Sequence, residues 1–125
     1  MRTIALVAAP LLLLDLAEEA SAPVYGHPRG PGYVVVAGLL CAAIFALVPR
    51  VASRGLAVAG GIAAAGALGN LISALAWRGG VPNPIVAGGI AFNLADVFVL
   101  AGAVALVAGA LLHALRNPTL LRKPI

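Results

Sequence analysis

Phe92-Asn93-Leu94-Ala95-Asp96 opens an apolar run that continues to about Leu115, and this stretch decides how the chain must be read. A carboxylate set in hydrocarbon is costly, so such acids face a bundle interior and mark chemistry or transport. Asn93 lies three residues before Asp96, on the same helical face. Asn70 and Ser73 repeat that spacing in the preceding apolar run. Two polar notches on neighbouring apolar helices imply one shared site.

Outward from this stretch, the composition fixes the class. Of 125 residues, 62% are hydrophobic and 10% charged, whereas about 25% of a soluble domain is charged. The chain therefore reads as an all-α integral membrane protein. We expect four transmembrane helices, over residues 4–16, 33–48, 56–76 and 91–115, forming one domain over 1–125. The first two are near or below the lower limit of about 17 residues for a perpendicular span. The first is expected to run on through Glu18 and Glu19 until Pro23 stops it.

The net charge of +4 matters less than its distribution. With both ends cytoplasmic, the inner side holds Arg2, Arg50, Arg54, Arg116, Arg122 and Lys123, and the outer side only Arg29 and Arg78. The positive-inside rule selects that orientation. Tyr25, Tyr33, Trp77 and Phe92 then fall near the outer boundary, as interfacial aromatics do. The basic balance reads as topology and lipid contact, and no nucleic-acid partner is expected. The expected location is a bacterial-type plasma membrane, with several passes.

The N-terminus imitates a secretory signal, with Arg2, an apolar core and Ala20-Ser21-Ala22. Asp15 and the two glutamates interrupt that pattern, and Pro23 would follow the cut, so we expect the first helix to be retained. Cys41 lies mid-span and has no partner cysteine, which makes it a small packing residue.

The segments between helices differ in character. Residues 21–32 are dense in Pro and Gly and predict irregular structure at the surface. Gly61, Ala65 and Gly69 form a small-residue stripe that lets another helix approach closely. After Trp77 come Arg78-Gly79-Gly80-Val81-Pro82-Asn83-Pro84 and then Gly88-Gly89. Two prolines around Asn83 exclude a regular helix. We expect an irregular outer loop or short re-entrant segment between helices three and four, carrying Asn83 toward Asp96. Asp15, Asn70, Ser73, Asn83, Asn93 and Asp96 all fall at similar depth, so an outward-facing cavity is expected, with Asp15 on its rim.

These residues also resemble a known family. Gly69-Asn70-Leu71-Ile72, then Val81-x-Asn83-x-Ile85, then Phe92-Asn93-Leu94-Ala95-Asp96 are similar to boxes of signal peptidase II, the lipoprotein signal peptidase. Those boxes read Gly-Asn-x-x-Asp-Arg, Val-Val-Asp-Phe and Phe-Asn-x-Ala-Asp-Ser, in the third span, the following loop and the fourth span. Leu14-Asp15 resembles the family's first box. The specific part of the similarity covers residues 66–97.

The resemblance implies four spans with cytoplasmic termini and an aspartic endopeptidase that cuts prolipoproteins just before the lipid-modified cysteine. It implies no cofactor and no metal; the partner is a prolipoprotein or lipid. Its dyad needs one carboxylate to activate water while a protonated partner donates to the carbonyl. Asp96 matches the second acid. Asn83 stands where the first should be, with Asn70, Ser73, Asn93 and Asp15 as supporting residues. Ser73 and Ala74 replace the family's Asp-Arg, Glu19 replaces a lysine, and the box expected after the first span has no counterpart in residues 24–32.

An amide at 83 cannot serve as general base or give up a proton, and acid–base roles supply roughly 10²–10⁴-fold each. Proteolysis by the usual dyad is therefore expected to be weakened or lost, unless Asp15, Glu18 or Glu19 supplies the missing acid. Two other readings stay open. One is a non-catalytic four-helix membrane protein that binds lipid or lipoprotein; the other is a transporter-like subunit using Asp96.

Overall fold

The computed structural model describes residues 1–21, 25–51 and 53–117. Pro23, the expected helix stop, lies outside the described residues, as do Ala22 of the signal-like motif and the inner-side charges Arg122 and Lys123. The elements are α1 (Arg2–Ser21), β1 (Tyr25–His27), α2 (Pro31–Leu47), a short 3-10 turn (Val48–Arg50), α3 (Arg54–Ala76), β2 (Val81–Asn83), β3 (Ile85–Ala87), β4 (Ile90–Phe92) and α4 (Leu94–Arg116). Most of the chain is helical. The segment Pro31–Arg50 and the helices α3 and α4 are long and apolar enough to cross a membrane. At 23 residues each, α3 and α4 extend about 35 Å, against about 30 Å of hydrocarbon. Helix α1 has comparable length, but Asp15, Glu18 and Glu19 crowd its last two turns.

Helix α3 is the centre of the fold and packs against the other three. Its composition explains why. Apolar side chains gain nothing by leaving lipid for one another, so membrane helices associate through close backbone approach at small residues. Gly61 abuts Val7 and Ile4 of α1, and Gly69 abuts Asp15, so two members of the expected stripe face α1. Gly66 lies against the Ala95 carbonyl and the Val99 amide of α4, and Gly102 of α4 lies against the Ala63 backbone. The core cluster is correspondingly small-sided: Ile4, Ala8, Ile44, Ala63, Ala64 and Ala65. Cys41 is buried and free, as a packing residue would be.

Leu100, Val104, Val107, Leu111 and Leu115 remain exposed along one face of α4. Val35, Val36, Leu39 and Leu40 do the same on α2. Such continuous apolar surface is rare on a monomeric soluble protein; next to lipid it needs no further cover.

Two expectations about the outer segments are corrected. The loop between α3 and α4 is not irregular, and neither is all of residues 21–32. β1 pairs antiparallel with β2, with Tyr25 opposite Asn83 and His27 opposite Val81. β3 and β4 form a hairpin with Ile85 opposite Phe92. Its two-residue turn is Gly88 and Gly89, both at positive φ (58° and 79°), the backbone that a type I′ turn demands. The prolines do forbid helix here, but the neighbouring amides and carbonyls still need partners at the membrane surface, and short strand pairing supplies them. The fourth helix accordingly starts at Leu94, three residues later than expected, because residues 90–92 are extended.

Candidate functional site

The site is built at the first turn of α4. Asn93 is the N-cap: its Oδ1 accepts from the Asp96 amide at 2.9 Å, and the Asp96 carboxylate accepts from the Asn93 amide at 3.4 Å. This reciprocal capping box satisfies two orphan donors of the helix end. It also sets a negative charge where the helix dipole favours one. The Asn-x-x-Asp spacing therefore has a structural cause as well as a chemical one.

Asp96 is tied to two further elements. Its Oδ1 accepts from Asn70 Nδ2 of α3 at 3.0 Å. The Arg29 guanidinium, from the segment between β1 and α2, stands 4.0 Å away. Arg29 is held over the Tyr33 ring at 4.6 Å from its centre. Sequence reading counted Arg29 only toward topology. The signal that could have found it is the need of an intramembrane acid for a cation nearby. The Asp96 side chain keeps 34% of its surface exposed and looks into an apolar groove of about 320 Å³ lined by Ile90, Phe92, Val97 and Leu100.

Behind Asp96 lies a second acidic centre. Glu19 of α1 is buried; its Oε1 accepts from Asn93 Nδ2 at 2.8 Å and its Oε2 from the Ser73 hydroxyl. Asn93 Nδ2 also lies 3.3 Å from Asn70 Oδ1 and 3.2 Å from the Pro82 carbonyl. An amide nitrogen has two hydrogens for these three acceptors, and the shortest contact goes to the carboxylate. Asp15, one helical turn before Glu19, accepts from the Ala95 amide at 2.6 Å. Two carboxylates of α1 thus converge on the first turn of α4, where exposed amides and the dipole favour anions.

Of the expected site residues, Asn70, Asn93 and Asp96 are joined by hydrogen bonds. Ser73 belongs instead with Glu19. Asp15 is not on a rim: it is 0% exposed, because Gly69 leaves room for its second oxygen in the packed interior. Asn83 is buried at the end of β2, and its Oδ1 has no hydrogen-bond partner among the described residues. It borders a separate cavity of about 330 Å³ together with His27 and Arg29. The expected single cavity is thus two openings, one beside Asp96 and one beside Asn83, with Ile90 lining both.

The cap gives a direct test. Asn93→Ala should lower stability by about 2 kcal/mol, the upper end for loss of an N-cap, because it also strips Glu19 of a donor. Unfolding by denaturing detergent would measure this; a loss below about 0.5 kcal/mol would show that the cap is dispensable.

Compared with known families, the chain matches the model described as signal peptidase (SPase) II over residues 26–112. That stretch contains α2, α3, all of β2, β3 and β4, and most of α4. Asp15, Glu18 and Glu19 of α1 fall before it. No curated protein matches the chain.

Proposed function

The chain belongs to the signal peptidase II family, and on that premise we propose that it engages lipid-modified precursors at the membrane without cutting them by the usual aspartate pair. In this reading α1 also crosses the membrane, as the first of four spans, both termini are cytoplasmic, and the capped end of α4 faces outward. The apolar groove beside Asp96 receives the lipid or the apolar part of a prolipoprotein. Asp96 and Asn83, aligned with the family's dyad, orient the polar part.

One observation carries the reading: Asp96 has no second accessible carboxylate beside it. Asn83 supplies an amide. Both oxygens of Glu19 are occupied by Ser73 and Asn93, and Asp15 is wholly buried against Ala95. A general base must reach water or substrate within hydrogen-bond distance. Both carboxylate oxygens of Glu18, the third acid of α1, are buried without a hydrogen-bond partner among the described residues, and neither Asp15 nor Glu19 is open to act. These acids hold the start of α4 in place and do not substitute for the missing one.

The transporter reading finds less support. Between Asp96 and His113, α4 has no ionisable or hydroxyl side chain, and α3 has none from residue 55 to 69. A proton or ion relay needs polar stations across the membrane, and here they stop near one end.

The test uses the full chain in nanodiscs and a prolipoprotein with a photoreactive group in its lipid. Crosslinks should concentrate on the groove residues Phe92, Val97 and Leu100, with the precursor left intact. Crosslinking spread evenly over α2 and α4 would remove the groove from the argument.

A further inference from the structure

The end of α3 meets the end of β1 in a tight contact. Gly80 has a φ of 99°, and a Cβ there would overlap the His27 carbonyl and the Pro28 nitrogen. Its amide closes the turn on the Trp77 carbonyl at 3.1 Å. Only glycine meets both demands. The contact brings Arg78 and Arg29 to the walls of one cavity of about 170 Å³, beside Pro28 and Trp77.

The charges around this cavity are unbalanced. Arg78 has no ion-pair partner among the described residues, and the nearest acid to Arg29 is Asp96, at 4.0 Å. The Arg29 Nε is buried without a hydrogen-bond partner. Two arginines lining one space at the edge of hydrocarbon repel each other, and an anion between them turns that cost into attraction. The carbonyl end of α3 opposes an anion with roughly half a charge, less than the two cations supply. Guanidinium forks match phosphate oxygens in geometry. Trp77, at the end of an apolar helix, marks the depth of the headgroups.

We propose that Arg29 and Arg78 form a phosphate-binding site that takes the headgroup phosphate of an anionic phospholipid. Free phosphate shares the chemistry. The site is independent of whether the protein cleaves anything.

Trp77 lines the cavity and is the chain's one tryptophan, so its fluorescence reports on the site. The full chain in neutral detergent is titrated with phosphatidylglycerol and, separately, with diacylglycerol of the same chains. Phosphatidylglycerol should shift the emission and bind more tightly. Arg78→Gln should weaken that binding about tenfold, the loss of one charge-assisted contact. Arg78→Lys, which keeps the charge, should retain more of it than Arg78→Gln. Arg54→Gln, at the other end of α3, should change nothing. Competition by inorganic phosphate would show that the free anion suffices; without it, the lipid is required, and either result upholds the site. Equal affinity for diacylglycerol, an Arg78→Gln variant that binds as wild type does, or an equal loss in Arg54→Gln would overturn it.

Discussion

Asn83→Asp should raise prolipoprotein cleavage by about 100-fold or more over the wild-type level. The substitution places a carboxylate at the end of β2, in a buried position whose amide oxygen now has no partner. Ile90 lines both the opening beside Asn83 and the one beside Asp96, and the introduced acid would supply the second carboxylate that aspartic proteolysis requires. The activity should stay below that of a full family member. Ser73 is engaged with Glu19, the loop box is absent, and a misplacement of about 1 Å can cost 100-fold. A gel-shift assay on a diacylated prolipoprotein reads the result, and adding Asp96→Ala should abolish the gain. Strong cleavage by wild type that survives Asp96→Ala would mean that paired carboxylates are not how this protein works.

Gly102→Leu should be among the most damaging single changes in the bundle. A Cβ at this position would run into the backbone nitrogen and Cα of Ala63, and backbone cannot rotate away as a side chain can. The α3–α4 contact would have to open. Overpacking typically costs 1–3 kcal/mol, occasionally more, and we expect about 3 kcal/mol here. The same change should loosen the site, since Asn70 of α3 and Asp96 of α4 meet only while the two helices stay close. Gly38→Leu is the control, because nothing lies within 4 Å of a Cβ built there. Unfolding of both variants in denaturing detergent would check this; equal stability would remove close glycine packing as the basis of the α3–α4 contact.

Much of the fold was legible because bilayer thickness constrains apolar runs directly. The runs over residues 56–76 and 91–115 became α3 and α4 with small shifts at their ends, and the stripe of Gly61, Ala65 and Gly69 announced a close helix contact. The strands were less visible, since each has three residues and no periodicity can be read from so few. One sign was nevertheless present. Gly88-Gly89 between apolar residues is a hairpin signal, and the prolines drew attention away from it.

By itself, the sequence determined that this chain lives in a membrane, and it marked Asn70, Asn93 and Asp96 as polar residues with a reason to be there. Helical spacing and the cost of burying charge are local rules, readable one segment at a time. It also showed that position 83 has no carboxylate to offer. Only the tertiary structure decided which acids serve which partners. Glu19 and Asp15 lie more than 70 residues from the α4 amides and side chain they bond, and Arg29 reaches Asp96 from a loop read only as surface. Those pairings exist because α1 and α4 pack on the same small-sided helix, and no spacing within one segment encodes that.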